Sequence, residues 1–379
     1  MKKLLIQNAS IIDQSSKYHT QKVDIYIEEG IIKSIGNNLD YACEVFNAES
    51  YYVSPGFIDI HVHCYHDKTV IGISPDDIGV KTGVTTLIDA GTSGAHTIKD
   101  FYDRIIKPAK ERVFVLLNTA SDGLKTLCEL SEDDAIDEIK IQQAVKDFSD
   151  LIVGIKARAS SSVLKDKGIG PIKQSKEIAK RLDLPLVIHI GNAPPTVEEV
   201  LACTECCDVI THCYHNKPNG LFLNSGQPKL EVINAQDRGV KFDLGHGSSS
   251  FSFDIFSKAL EHNFEHDFIG SDIYDKNINT VVKSLINVMN KVLANGYSLE
   301  DVVAMVTHKP AEHFKLNGLG HIEEGFYGDF TIFKQHESKK TFEDSVGIKK
   351  ISNNWIEAKY AIVNGDIFKT DNGGNNDIF

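Results

Sequence analysis

The sequence predicts an α/β protein: a TIM (β/α)8 barrel with a small β-sandwich built from both chain ends. Three observations carry that expectation. From residue 53 onward, apolar strand-like runs alternate with segments of helical spacing, the rhythm of a parallel sheet with helical crossovers. Eight such runs fit into about 260 residues, the span of a closed eight-unit barrel. The two chain ends carry strand-like runs with no helical segment between them.

The barrel strands are expected at residues 53–62, 85–89, 113–118, 151–156, 185–189, 209–212, 241–244 and 268–271. Helical spacing marks residues 98–110, 133–148, 172–182 and 253–264 between them, and 281–293 and 299–306 after them. At the N-terminus, residues 4–7, 23–28 and 31–35 read as short strands, the last following the turn Glu29-Gly30. They cannot close a core alone. Residues 328–333 and 358–368, the latter containing the turn Asn364-Gly365, supply the missing half. The expected division is therefore 1–52 with 320–379 as the sandwich, and 53–319 as the barrel. The tail at 371–376, Asp-Asn-Gly-Gly-Asn-Asn, reads as mobile.

The 379 residues are 41% hydrophobic and 25% charged, as in ordinary globular enzymes. Forty basic against fifty-three acidic side chains give a net charge of −13, which argues against nucleic acid or an anionic membrane as partner. The opening residues hold only Leu4, Leu5 and Ile6 before the polar pair Gln7-Asn8, too few for a secretory segment. No run approaches the roughly 18 apolar residues of a membrane span, so a cytoplasmic location is expected. Seven cysteines without framework spacing suggest free thiols. Cys203, Cys206 and Cys207 read as ordinary thiols beside a helix end, since no partner pair lies nearby.

The chemistry is concentrated in the stretch from Ser54 to His63. A turn pair, Pro55-Gly56, leads into a strand in which His61 and His63 lie two apart and so face one side. Two imidazoles so placed can hold one zinc-like ion. Lys156, His189, His212 and Asp272 all fall at, or one residue beyond, the C-terminal ends of expected strands. TIM barrels assemble active sites on that face.

The run Pro55-Gly56-Phe57-Ile58-Asp59-Ile60-His61-Val62-His63, taken with these four later residues in order, resembles the signature of the amidohydrolase superfamily. The resemblance spans nearly the whole chain and is closest to dihydroorotase-like and deacetylase-like members. It implies two divalent metal ions, zinc foremost, with manganese, iron and cobalt also suited. His61, His63 and Asp272 would hold one ion, and His189 and His212 the other. A lysine ammonium has no lone pair, so Lys156 would bridge the ions only after carboxylation by carbon dioxide, as the resemblance implies. Asp272 would serve as general acid and base.

The implied reaction is hydrolysis of an amide, N-acyl or O-acyl bond of a small metabolite, as in a deacetylase. Candidate substrate-binding residues are Arg158, Asn192, Tyr214 and His246, all near strand ends. Arg158, two residues beyond Lys156, could grip a carboxylate or phosphate or form a salt bridge at the barrel rim. His215 is a lesser candidate, and His66, His96, His262, His266, His308, His313 and His321 read as ordinary histidines. Three alternatives stand beside this reading. One is a cyclic-amide hydrolase, and another is a nucleobase deaminase in which Phe222, Phe251 and Tyr274 would clamp a purine. The last is a non-catalytic barrel scaffold. Pairing into a homo-oligomer is a further expectation from the resemblance.

Overall fold

The computed structural model describes residues 2–371, so of the tail expected to be mobile all but Asp371 lies outside the described residues. The chain builds two sheets, and Gly56 marks where it passes from one to the other. The expected strand at 53–62 is in fact two. Tyr52–Pro55 joins the sheet made by the chain ends, whereas Phe57–Val62 opens the barrel. A Cβ on Gly56 would come within 2.0 Å of the Thr85 hydroxyl, so only glycine lets the two strands cross so closely.

The barrel sheet is parallel and runs in chain order. After Phe57–Val62 come Val84–Gly94, Arg112–Asn118, Ile152–Ala159, Leu186–Ile190, Val209–Thr211 and Lys241–Asp243. Seven of the expected strands are present as regular strands. The eighth, at 268–271, is not, because its residues bend to deliver Asp272. It closes the barrel through single parallel bridges, Asp243 to Phe268 and Val62 to Ile273. Backbone hydrogen bonds from His246 N to Gly270 O (3.1 Å) and from Asp272 N to His61 O (2.7 Å) complete the seam.

Register places the polar residues side by side. Lys156 lies opposite Asn118 and Val187, and His189 lies opposite both Arg158 and Thr211. Outside the barrel, Glu138–Asp147, Gly170–Arg181, Phe253–Glu261, Leu285–Leu293 and Leu299–Ala304 confirm the helical spacing. Two of them start later than periodicity alone suggests, because a cap decides the start. Asp137 accepts from Lys140 N, and Ser284 accepts from Asn287 N. The segment at 98–110 is a turn of α-helix, Ile98–Phe101, followed by a π-helical turn, Tyr102–Ile106. Among the described residues no helix is long and apolar enough to cross a membrane.

The chain ends form one eight-stranded sheet rather than two short halves. Its C-terminal strands, Phe330–Glu343 and Lys349–Val363, are far longer than expected, and Asp366–Lys369 follows the turn Asn364-Gly365. Leu4, Ile6, Ile25, Ile27, Val53, Phe330, Ile332 and Ile362 share one core. A buried ion pair ties this sheet to the barrel. Arg112, at the start of its barrel strand, meets Asp329 through Nε at 2.6 Å, stacks on Tyr327 at 3.9 Å and donates to Asn364.

Asp329 is buried, and its second oxygen accepts from Asn364 N. Removing the carboxylate leaves a half-buried guanidinium without its charged partner. Asp329→Ala should therefore cost about 3 kcal/mol of stability, read as a lower urea midpoint at unchanged slope, while Asp329→Asn should cost less.

Candidate metal centre

His61, His63, Lys156 and His212 are all buried, and Asp272 nearly so. They meet at the C-terminal mouth of the barrel. Asp272 Oδ1 lies 3.1 Å from His63 Nε2 and 3.6 Å from His61 Nε2, and Oδ2 lies 4.0 Å from His212 Nε2. Lys156 Nζ is 3.3 Å from His61 Nε2. The His189 ring packs on the His212 ring, their centroids 4.4 Å apart. The structure thus brings together all six residues expected from the sequence.

The other ring nitrogens settle which tautomer each histidine adopts. His61 Nδ1 is 3.0 Å from the Thr211 hydroxyl, which itself donates to Asp243 Oδ2 at 2.6 Å. The single hydroxyl proton is already committed, so His61 Nδ1 must carry the proton of its own contact. The same relay recurs at His63, through Thr92 at 3.0 Å and on to Asp89 at 2.7 Å. His212 Nδ1 faces the carbonyl oxygen of Gly245 at 2.6 Å, an acceptor only. In each ring the proton is held on Nδ1 and the Nε2 lone pair is turned toward Asp272.

Three lone pairs facing one carboxylate repel one another unless a cation sits among them. His212 Nε2 is buried and has no hydrogen-bond partner among the described residues. Burial holds the His212 pKa down at about 3, so its own proton does not supply the charge. Donor atoms of His61, His212 and Asp272 all lie within 4.8 Å of one another, a spacing that suits a metal ion. The tightest trio includes His212, where the sequence had paired His61 with His63. Lys156 is also buried. Burial lowers its pKa to about 8, against the opposing pull of Asp272 and Asp243.

Backbone strain is stored at the same place. His212 and Asp272 adopt left-handed conformations, φ 75° and 51°, unusual for residues with a side chain. Asp272 is held there by its N–H to His61 O, by Asn277 Nδ2 donating to its carbonyl at 2.8 Å, and by Asp59. The Asp59 carboxylate accepts from Ser271 N at 3.0 Å and from His61 N at 3.2 Å. Gly247 completes the support, since a Cβ there would fall 2.3 Å from Asp272 Oδ2.

A cavity of about 240 Å³ opens over the cluster. Ile71, Leu124 and Leu127 form an apolar side; Arg158, Lys217 and Lys276 bring positive charge; Ser248, Ser249, Ser250 and Tyr274 add hydroxyls. For Arg158 the structure shows the rim salt bridge. The residue lines the cavity, and its Nη1 meets the buried Glu129 carboxylate at 3.1 Å. Lys217 has no side-chain hydrogen bond or ion pair among the described residues.

Three sequence candidates lie away from the cavity. Tyr214 is fully buried among Phe222, Phe251, Phe256 and Phe264, its hydroxyl against His266 at 3.1 Å, because the chain turns back into the barrel wall after His212. His246 is also fully buried, with Nδ1 donating to Gly247 O and Nε2 accepting from Lys291 Nζ at 2.7 Å. It supports the Gly247 backbone instead of meeting a ligand. Asn192 is exposed and outside the lining; its backbone N–H donates to Ser160 Oγ. His215 is buried, with Nδ1 accepting from Lys217 N.

Sequence reasoning missed Thr92, Thr211, Asp89, Asp243 and Lys217. Thr211 and Asp243 end strands beside the expected ligands, and Asp89 ends the expected strand at 85–89, a positional signal that was there to be used. Lys217 lies in a loop and carried none.

Likeness to known proteins bears on what this arrangement belongs to. A deacetylase of Enterococcus faecalis (strain ATCC 700802 / V583) is 37% identical over 371 residues, covering 96% of this chain and 98% of that protein. A crystal structure described as an adenine deaminase superposes with a TM-score of 0.92 at 36% identity, covering 98% of this chain and all of that one. Another, described as a dihydroorotase, gives 0.91 at 31% identity, covering 98% of each chain. The sequence profile of the Amidohydrolase family matches residues 52–374. With the barrel, the histidine cluster and this match agreeing, the chain belongs to the amidohydrolase family and is a hydrolase.

Proposed function

We propose that the protein is a metal-dependent deacylase that hydrolyses the N-acyl or O-acyl bond of a small, carboxylate-bearing metabolite. The single observation that carries this reading is the pairing of the histidine cluster with an unpartnered lysine, Lys217, in one small cavity. His61, His63, His189, His212 and Asp272 would hold two divalent cations, zinc foremost, with Lys156 bridging as a carbamate. Such cations supply Lewis-acid activation of water and of a carbonyl at neutral pH.

The chain's own groups do the rest. Thr211 with Asp243, and Thr92 with Asp89, keep His61 and His63 in the tautomer whose Nε2 can ligate. The lowered pKa of Lys156 keeps part of it as the free amine, whose lone pair can attack carbon dioxide. Asp272, facing the cavity, accepts a proton from the attacking water and passes it to the departing nitrogen or oxygen. Arg158 and Lys217 orient the substrate carboxylate, and Leu124 and Leu127 exclude water from its apolar part.

The aromatic clamp expected of a purine site is not assembled. Phe222 and Phe251 pack with Tyr214 in the barrel wall, and of the three candidates only Tyr274 lines the cavity. That favours acyl hydrolysis over deamination, although one structural neighbour is described as an adenine deaminase.

The test is a panel of N-acyl amino acids, acylated hydroxy acids, dihydroorotate, hydantoins and adenine, assayed with zinc-loaded protein. Acid release from an acylated carboxylate is expected, and ammonia release from adenine with no acyl hydrolysis would overturn the reading. Asp272→Asn should lower kcat about a thousandfold with the fold retained; full turnover would remove Asp272 from proton transfer. Lys217→Ala should raise KM for a carboxylate substrate about tenfold or more and leave a neutral methyl-ester analogue unaffected. Metal-free protein given zinc at fixed dissolved carbon dioxide should recover activity faster above the Lys156 pKa of about 8 than below it, because only the amine is nucleophilic. Recovery rates independent of pH would argue against the carbamate.

A further inference from the structure

The opposite end of one barrel strand carries a second cluster of reactive side chains, unconnected with hydrolysis. Cys206 and Cys207 are both exposed, and their sulfurs lie 3.1 Å apart. Neighbouring residues in an extended chain point to opposite sides. Here Cys207 takes a left-handed conformation, φ 73°, which swings both thiols to one side. The turn is held firmly. Asp208 is buried, accepts from Glu205 N at 2.8 Å and from Leu186 N at 3.0 Å, and pairs with Lys176 at 2.6 Å. Cys207 N donates to Gly239 O, and Lys241 N to Asp208 O.

A pair of thiols at this spacing, fixed before any ligand arrives, is a chelating site for a soft, thiophilic centre. The separation is far beyond a disulfide bond of about 2.05 Å. It is also shorter than the roughly 3.8 Å that two thiolates take in a tetrahedral zinc shell. Among the described residues no third donor joins them. Cys203 directs its thiol to Glu199 O, and among the described residues the only three-donor group suited to a metal is the one at His61, His212 and Asp272. The centre that fits therefore needs two sulfurs and brings its own third substituent.

We propose that Cys206 and Cys207 form a binding site for monosubstituted trivalent arsenicals. In the binding step two S–H bonds and the arsenic–oxygen bonding of R–As=O break, and two As–S bonds form. Both thiol protons leave with the oxygen as one water, and arsenic stays trivalent, so no oxidant or reductant is required. Cys207 lies about 16 Å along the strand direction from His212, at about 3.3 Å per residue, so the site is separate from the catalytic mouth.

The probe is phenylarsine oxide added to the full chain, followed by intact mass and by the count of thiols open to a chromogenic disulfide reagent. One equivalent should add one phenylarsenic group and protect two thiols. A dithiol such as dithiothreitol should remove it, and a monothiol at equal thiol concentration should not. Cys206→Ser and Cys207→Ser should each weaken binding roughly a hundredfold, the loss expected when a chelate becomes a single contact, whereas Cys203→Ser should bind as wild type. Protection of only one thiol, removal by the monothiol, or unchanged binding in Cys206→Ser or Cys207→Ser would overturn the proposal.

Discussion

Repulsion among three imidazole lone pairs and a carboxylate is the constraint around which this molecule is arranged. His61, His63 and His212 turn Nε2 toward Asp272 in a place largely closed to water. In a low-dielectric site such an arrangement is costly until a cation occupies its centre. Each ring could avoid the conflict by moving its proton from Nδ1 to Nε2. The threonine relays and the Gly245 carbonyl forbid it. The protein has thus fixed in its covalent and hydrogen-bonded frame a preference for positive charge.

That frame also explains where the barrel departs from regularity. The segment expected to be the eighth strand keeps backbone hydrogen bonds to its neighbours but forms only single bridges, and Asp272 turns into the mouth in a left-handed conformation, as His212 does at the end of its strand. Strain of this kind persists only where surrounding bonds over-determine it. Here the constraints are Asp59 and Asn277 around Asp272, with Gly247 leaving room for the carboxylate. The buried His246–Lys291 pair behind Gly247 has no route to substrate, yet it holds the backbone against which Asp272 rests.

The cavity above adds selectivity to reactivity. A chain with net charge −13 nevertheless gathers Arg158, Lys217 and Lys276 around the cavity that opens over the histidines. Arg158 is already paired with Glu129, so its guanidinium is held in position at the rim, while among the described residues Lys217 and Lys276 have no ion-pair partner. The overall charge and the charge of these three side chains therefore have opposite signs, a distribution that favours anions at the cavity.

Much was legible in the chain. The alternation of strand and helix, the paired His61 and His63, and the later polar residues at strand ends follow from local periodicity, and periodicity is written residue by residue. The six ligand candidates could be named because a parallel barrel brings all its strand ends to one mouth. What the sequence could not decide was which neighbours of those strand ends look inward. Tyr214 follows His212 by two residues and Lys217 by five, yet Tyr214, like His246, is buried in the wall and only Lys217 reaches the cavity. Likewise, Gly56 divides one expected strand between two sheets because of a contact with Thr85, far away in the chain. Side-chain direction after a strand ends depends on loop backbone angles and on long-range packing, and neither has a period to read. The sequence by itself determined the fold class and named the candidate ligands; only the folded chain decided which proton each histidine keeps and which charges face the cavity.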